Sequence, residues 1–263
     1  MQTGLQGKVA IVCAASEGLG RAAAEALASD GCRLAICSRR EAAIEAAADE
    51  IRRASGVEVL PIAADVSRAS DVERVVSETA GHFGGLDILV TNAGGPKPGL
   101  FDALTDENWY HAVDLLLMSV VRLSRESIPH LRRRGGGRIV HVTSVAVKQP
   151  VPGLMLSNAV RAAVVGFSKT LSRELARDRI TVNCVAPGYT RTARVVRLNE
   201  ATAEREGKTV AEVEQRLLTT IPAGRLGEPR ELADLIAFLA SERSAYVTGT
   251  VIQVDGGSIS GLF

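Results

Sequence analysis

From end to end the chain alternates short apolar runs rich in β-branched residues with Ala/Leu/Glu/Arg stretches of helical period. Two parallel strands need a long crossover between them, and a helix is the usual one. The alternation therefore predicts βαβ units and an α/β fold, a parallel sheet covered by helices on both faces. Strands are expected at 8–14, 33–38, 57–64, 86–93, 138–144, 180–186 and 250–255, giving one continuous doubly wound sheet of seven strands. Helices are expected at about 18–30, 40–54, 70–82, 105–133, 155–177 and 229–241. Gly31 stops the first of these, and Pro229 followed by Glu231 starts the last.

No linker separates two halves of the 263 residues, which predicts one domain over 1–263. One polar segment, 190–220, interrupts the alternation between two strands. It reads either as a lid over a ligand or as a solvated helical hairpin. The run "RRRGGG" at 132–137 puts three arginines at a helix end before glycines, which suits the helix dipole and a C-terminal stop better than nucleic acid.

The net charge of +1 gives no basic field for nucleic acid, so the expected partner is a small molecule. Cys13, Cys32, Cys37 and Cys184 lie inside apolar runs without metal-ligand spacing, and they read as buried thiols with no metal. No charged N-terminal region leads into an apolar stretch, and no run approaches the ~18 apolar residues of a membrane span. These features predict a cytoplasmic protein that does not enter a membrane.

The first strand runs into "CAASEGLGRAAAEAL", a strand, tight turn and helix with Gly18 and Gly20 at the turn. Glycines there let backbone approach a pyrophosphate, which the free N–H groups of the helix N-terminus then hold. The segment resembles the Thr-Gly-x-x-x-Gly-x-Gly opening of the short-chain dehydrogenase/reductase family, with Cys13 and Ala14 departing from its first two positions. Ala14 matters if that position needs positive φ or close backbone approach. Further motifs fall in the family's order: Asp65 and Val66 in "AADV", Asn92, Ala93 and Gly94 in "TNAGG", and Pro187, Gly188 and Thr192 in "VNCVAPGYTRT". A C-terminal signature follows at 224–257. The resemblance, to 3-oxoacyl-carrier-protein reductases in particular, implies a Rossmann-type seven-stranded sheet and NAD(P)-dependent hydride transfer at a carbonyl or hydroxyl carbon. It also implies cofactor contacts from these residues with Ser16 and Leu19, and a homotetramer or homodimer packed through the helices near 105–133 and 155–177.

An acidic residue at the end of the second strand would bind both ribose hydroxyls of NAD(H). The chain has Ser38, Arg39 and Arg40 there, and a guanidinium with a hydroxyl suits a 2′-phosphate. NADP(H) is therefore favoured over NAD(H), with Arg39 as the main contact and Arg40 as a solvated first-turn charge. Glu17, just before the second motif glycine, weighs the other way.

The family's proton is passed by a tyrosine whose high pKa an adjacent lysine lowers, beside a substrate-binding serine and an upstream asparagine. Ser144 occupies the serine position. Thirteen residues on, where the tyrosine belongs, stands Ser157; four further, at the lysine position, is Arg161; and Leu116 takes the asparagine position. No displaced Tyr-x-x-x-Lys exists elsewhere. A serine is a far weaker acid than a phenol, so Ser157 and Arg161 cannot reproduce the pair. Two serines, a fixed cation and an apolar wall suit binding or oxyanion stabilisation better than proton delivery. Lys148 and Tyr189 are substitute donors to consider, whereas His141, inside its strand, is expected to pack against a helix. Three readings stay open: an oxidoreductase with a non-standard site, a ligand-binding pseudoenzyme, and a lyase or isomerase acting on an anionic substrate at Ser144 and Arg161.

Overall fold

The computed structural model describes residues 3–262. Seven parallel strands form one sheet: β1 (Val9–Cys13), β2 (Arg33–Ser38), β3 (Val59–Ala63), β4 (Ile88–Thr91), β5 (Gly137–Val142), β6 (Ile180–Pro187) and β7 (Val251–Val254). Their spatial order is β3-β2-β1-β4-β5-β6-β7. The order reverses direction between β1 and β4, and a crevice opens outside the strand C-termini where the connections diverge to the two faces. This is the Rossmann-type sheet that the sequence predicts.

Strand periodicity decides how both faces fill. Along β1, Ala10 and Val12 point to the face covered by α1 (Gly18–Ser29), α2 (Glu41–Ser55) and α9 (Pro229–Ala240), among Ala24, Leu27, Ile44 and Ile236. Val9, Ile11 and Cys13 point to the other, among residues of α3 (Ala69–Phe83) and α5 (Ser119–Arg133) such as Val72, Val75 and Leu123. A strand buried on both faces needs an unbroken apolar run, which is why "VAIVC" is buried throughout. Pro61 is tolerated because β3 is an edge strand.

Several expected boundaries shift. The fifth strand ends at Val142 rather than at Ser144, because the Ser144 hydroxyl accepts from the Ala146 N–H at 3.2 Å and starts a 3-10 turn over Val145–Val147. The expected helix over 105–133 is broken: α4 (Asp106–Val113) passes through a π turn, Asp114–Met118, into α5. Ser119 donates back to the Leu115 carbonyl at 2.6 Å beside this turn. The sixth helix, α6 (Met155–Glu174), ends three residues before its expected boundary and yields to a 3-10 turn, Ala176–Asp178. The segment 190–220 folds as two helices, α7 (Ala193–Glu206) and α8 (Val210–Leu218), joined by Glu206 pairing with Arg216 and by a Thr209/Glu212 capping box.

The arginine run at the end of α5 is a stop, as its composition predicts, and it also ties layers together. Arg134 donates to the Asp87 carboxylate at 3.1–3.2 Å, Arg132 to Asp178 at 2.7 Å, and Gly135 turns the chain at φ +78°. The capping of α9 follows its sequence too, since Pro229 opens the helix and the Glu231 carboxylate accepts from the Glu228 N–H at 2.7 Å.

Candidate cofactor groove and catalytic end

The groove forms where the chain leaves β1, β2 and β4 at their C-terminal ends. Ala14 sits at φ +50°, a left-handed conformation that favours glycine, and Gly18 at φ +62°. Gly20, in the first turn of α1, packs so tightly that a Cβ would overlap the Ala14 carbonyl. The turn is thus built on the backbone geometry that a glycine-rich phosphate loop requires, with an alanine held at one strained position.

A cavity of about 600 Å³ runs along this turn. Ala14, Ser16, Gly18 and Leu19 line it from the first turn, and Ser38 and Arg39 from the end of β2. Asp65 and Val66 line it after β3, Asn92, Ala93 and Gly94 after β4, and Thr192 from the N-terminus of α7. Twelve of the fifteen residues expected to touch a cofactor thus surround one space. Gly20 lies buried behind the turn, and Pro187 and Gly188 lie outside the groove. Gly188 is still constrained, because a Cβ there would stand 2.8 Å from the Asp255 Cα.

The groove carries unpartnered polar groups suited to a dinucleotide. The Ser38 hydroxyl is buried without a hydrogen-bond partner, and an orphaned polar atom is costly unless a ligand completes it. Beside it Arg39 is exposed and, among the described residues, unpaired. Arg40 instead reaches Glu17 at 3.8 Å, and Arg197 of α7 meets the same carboxylate at 3.7 Å. Glu17 thereby faces the two arginines and leaves Arg39 clear. Asp65 spends one carboxylate oxygen on Ser67, accepting from its N–H at 3.0 Å and its hydroxyl at 2.8 Å. The residues present fit a nicotinamide dinucleotide.

The expected catalytic residues lie beyond the groove's far end. Ser144 follows β5; its oxygen accepts a backbone bond and its O–H remains free to donate. Ser157 is buried in the first turn of α6, and its hydroxyl forms no hydrogen bond with the described residues. Arg161, one turn on, donates from Nη1 to the Val142 and Thr143 carbonyls, each at 3.1 Å. Burial, reinforced by the charge of Arg194, lowers its pKa to about 10, which leaves it a cation at neutral pH. Leu116 is 3% exposed and packs with Ala112, Leu156 and Val160. This apolar cluster flanks Ser157 where the family places a proton path.

The substitute donors fare poorly. Burial raises the Tyr189 phenol above its usual value, making it a weaker acid. Lys148 is half-buried after the 3-10 turn. His141 is fully buried against Phe167 of α6 and shares a 2.8 Å hydrogen bond with Thr91 through Nδ1, and burial holds its pKa near about 3. As its strand position predicts, it is a core residue.

Sequence reasoning missed Arg194 and Arg197, which line the groove from α7. The signal was legible in principle, since they lie one helical turn apart after Thr192 in "TARVVR". A larger cavity, about 770 Å³, opens at the opposite end of the sheet between Lys8, Asp87, Arg138 and Ile180. It is far from the strand C-termini where ligands of such sheets bind, and Asp87 there is already paired with Arg134 and Lys8.

The family model described as enoyl-(acyl carrier protein) reductase matches residues 13–258. The 3-oxoacyl-[acyl-carrier-protein] reductase FabG of Vibrio cholerae serotype O1 is 37% identical over 253 residues, covering 96% of this chain and 98% of the relative. The dehydrogenase/reductase SDR family member 4 of Oryctolagus cuniculus is 36% identical over 259 residues, covering 98% and 96%. Among solved structures, L-sorbose reductase from Gluconobacter frateurii, complexed with NADPH and L-sorbose, superposes with a TM-score of 0.96 at 36% identity over 100% of both chains. With this match over nearly its whole length, the chain belongs to the short-chain dehydrogenase/reductase family of oxidoreductases.

Proposed function

We propose that this chain is a single-domain NADP(H)-dependent reductase that transfers hydride to a small carbonyl substrate, or takes it from the corresponding alcohol, with a non-standard active site. The orphaned Ser38 hydroxyl beside the unpaired Arg39 carries the cofactor reading. A carboxylate at that corner would repel a 2′-phosphate, whereas a guanidinium and a hydroxyl bind one. NADPH, when bound, supplies the hydride. Ser16, Gly18 and Leu19 hold its pyrophosphate at the α1 N-terminus with Gly20 packed behind them, Ser38 and Arg39 its 2′-phosphate, and Asp65 and Val66 its adenine. Asn92, Ala93, Gly94 and Thr192 border its nicotinamide half, and Pro187 and Gly188, outside the groove, carry the chain toward Thr192.

The chain's own chemistry is then electrostatic. Ser144 donates its O–H to the substrate oxygen, and Arg161, anchored beside it on the Thr143 carbonyl, offsets the negative charge that develops there. Ser157 adds a second hydroxyl, and the proton that the oxygen finally takes comes from water. Supporting a homodimer or homotetramer, α6 leaves Ala162, Ala163 and Gly166 exposed as a flat face. The four free thiols suit a cytoplasmic setting, and no helix of the described residues is long and apolar enough to cross a membrane.

Fluorescence titration tests the cofactor: NADPH should bind roughly tenfold or more tightly than NADH, and Arg39→Ala should erase most of that margin. Absence of binding to either nucleotide would sink the reading. Ordinary ketones should turn over slowly, and the double variant Ser157→Tyr/Arg161→Lys should turn over faster.

A second reading, a cofactor- or ligand-binding protein without turnover, is favoured by the apolar packing of Leu116, Leu156 and Val160 around Ser157. Tight NADPH binding with no reduction of any carbonyl, in wild type and double variant alike, would select it.

A further inference from the structure

The first turn of α7 crosses the cofactor groove at one place. Thr192 packs on the α1 turn, its γ-methyl 3.6 Å from where a Gly18 Cβ would stand. Two residues on, Arg194 lies so close over Gly95, in the loop after β4, that even a Cβ there would overlap its guanidinium. α7 thus bridges the loops that leave β1 and β4, and Ser16, Gly18, Leu19, Gly95 and Arg194 line one cavity.

The charges around this bridge are unevenly spent. Arg197 pairs with Glu17 at 3.7 Å and Arg191 with Glu228 at 3.0 Å, whereas Arg194 forms no ion pair or hydrogen bond with the described residues. A partly desolvated guanidinium without a partner is unfavourable unless an anion completes it. The α1 turn, for its part, is short of positive charge. Its own basic residue, Arg21, is held by Glu25 at 2.7 Å and Glu50 at 3.1 Å, and Glu17 adds a carboxylate that Arg40 and Arg197 face. A pyrophosphate at this turn would meet the N–H groups of α1 and, as an uncommitted cation, Arg194.

The strand order says which part of a dinucleotide lies there. In the order β3-β2-β1-β4, the adenine corner follows β3, the 2′-phosphate corner ends β2, the phosphate turn follows β1, and the nicotinamide side follows β4. Arg194 spans the last two, past Ser38 and Arg39. Ser144, Ser157 and Arg161 do not line this groove, so Arg194 shares its cavity with the cofactor's phosphates rather than with the catalytic end. We propose that Arg194 is a second pyrophosphate contact, binding the nicotinamide-side phosphate from α7, opposite the N–H groups of α1. The contact makes α7 the second jaw of the groove. It rests on the cofactor reading above.

Calorimetric titration of three ligands tests it: NADP+, NAD+, and adenosine 2′-monophosphate, which reaches Ser38 and Arg39 but carries no pyrophosphate. Arg194→Met should weaken NADP+ and NAD+ alike, each by about tenfold, and leave adenosine 2′-monophosphate within about twofold. Arg194→Lys should keep part of the dinucleotide affinity, since it restores the charge without the planar fork. Arg39→Ala should show the opposite pattern, weakening NADP+ and the monophosphate but not NAD+. Unchanged dinucleotide affinity in Arg194→Met overturns the proposal. So does a loss confined to NADP+, which assigns Arg194 to the 2′-phosphate, and so does an equal loss for all three ligands, which makes the effect one on the fold of the groove. If the wild type binds neither dinucleotide, the cofactor reading fails and takes the proposal with it. If the wild type binds both and Arg194→Met binds them as tightly, only the Arg194 assignment fails.

Discussion

Ala14 holds a backbone conformation that its side chain disfavours. An L-residue in the left-handed region carries about 1–2 kcal/mol of strain, and glycine there gives back about 0.5–1 kcal/mol in unfolded-chain entropy. Ala14→Gly should therefore stabilise the fold by about 0.5–1 kcal/mol in urea denaturation. Gly20→Ala should do the reverse and cost about 2 kcal/mol or more, because its Cβ would collide with the Ala14 carbonyl rather than with a movable side chain. The sequence raised the question at Ala14, since it departs from a glycine motif, but a φ angle of +50° is visible only in the folded chain. Ser144, Ser157 and Arg161 are located by the motif spacing of the family that the sequence resembles; in the folded chain Ser144 follows β5, and Ser157 and Arg161 stand one turn apart on α6. Arg194 cannot be located that way, because its meaning depends on Gly95, about a hundred residues away in sequence.

At the scale of elements, strands and long amphipathic helices were legible to within a few residues. The departures occur where local side-chain bonds compete with the regular ladder. Ser144 caps a turn and shortens β5, and the π turn at Asp114–Met118 inserts a residue's worth of slack into an otherwise helical pattern. Hydrophobic period cannot reveal such a turn, since it moves the register without changing composition. The α7–α8 pair is held partly by surface charge: Arg197 to Glu17, and Arg191 to Glu228 and, at 3.9 Å, to Glu214. Exposed pairs of this kind contribute less than about 1 kcal/mol each and weaken as salt screens them. Trypsin should therefore cut first within 191–216, and several-fold faster at about 1 M NaCl, where the screening length falls to about 3 Å. Saturating NADPH should slow that cleavage if the groove orders α7; an unchanged rate would detach α7 from cofactor binding.

For the molecule as a whole, acid stability should depend on a core residue that takes no part in the chemistry. His141 is buried on β5 between Thr91 and Phe167, with Nε2 unpartnered, and burial lowers its pKa to about 3 against an ordinary 6.5. The folded state thus keeps the ring neutral where the unfolded chain protonates it, so the unfolded state binds more protons between those two values. The stability that neutral burial preserves is complete above pH 6.5 and is lost as pH falls toward 3. Between pH 7.5 and 5.5 this single group should remove about 1.4 kcal/mol from the unfolding free energy. Burial also lowers His130, which adds to the trend in the same direction, so the wild-type slope alone does not isolate His141. The comparison that does is His141→Gln, which is expected to start from lower stability at pH 7.5, because it disturbs the Thr91 contact, yet to lose about 1.4 kcal/mol less on going to pH 5.5. Parallel slopes for the two proteins would mean that the ring is protonated without unfolding, and that the sheet opens enough at β5 to admit water.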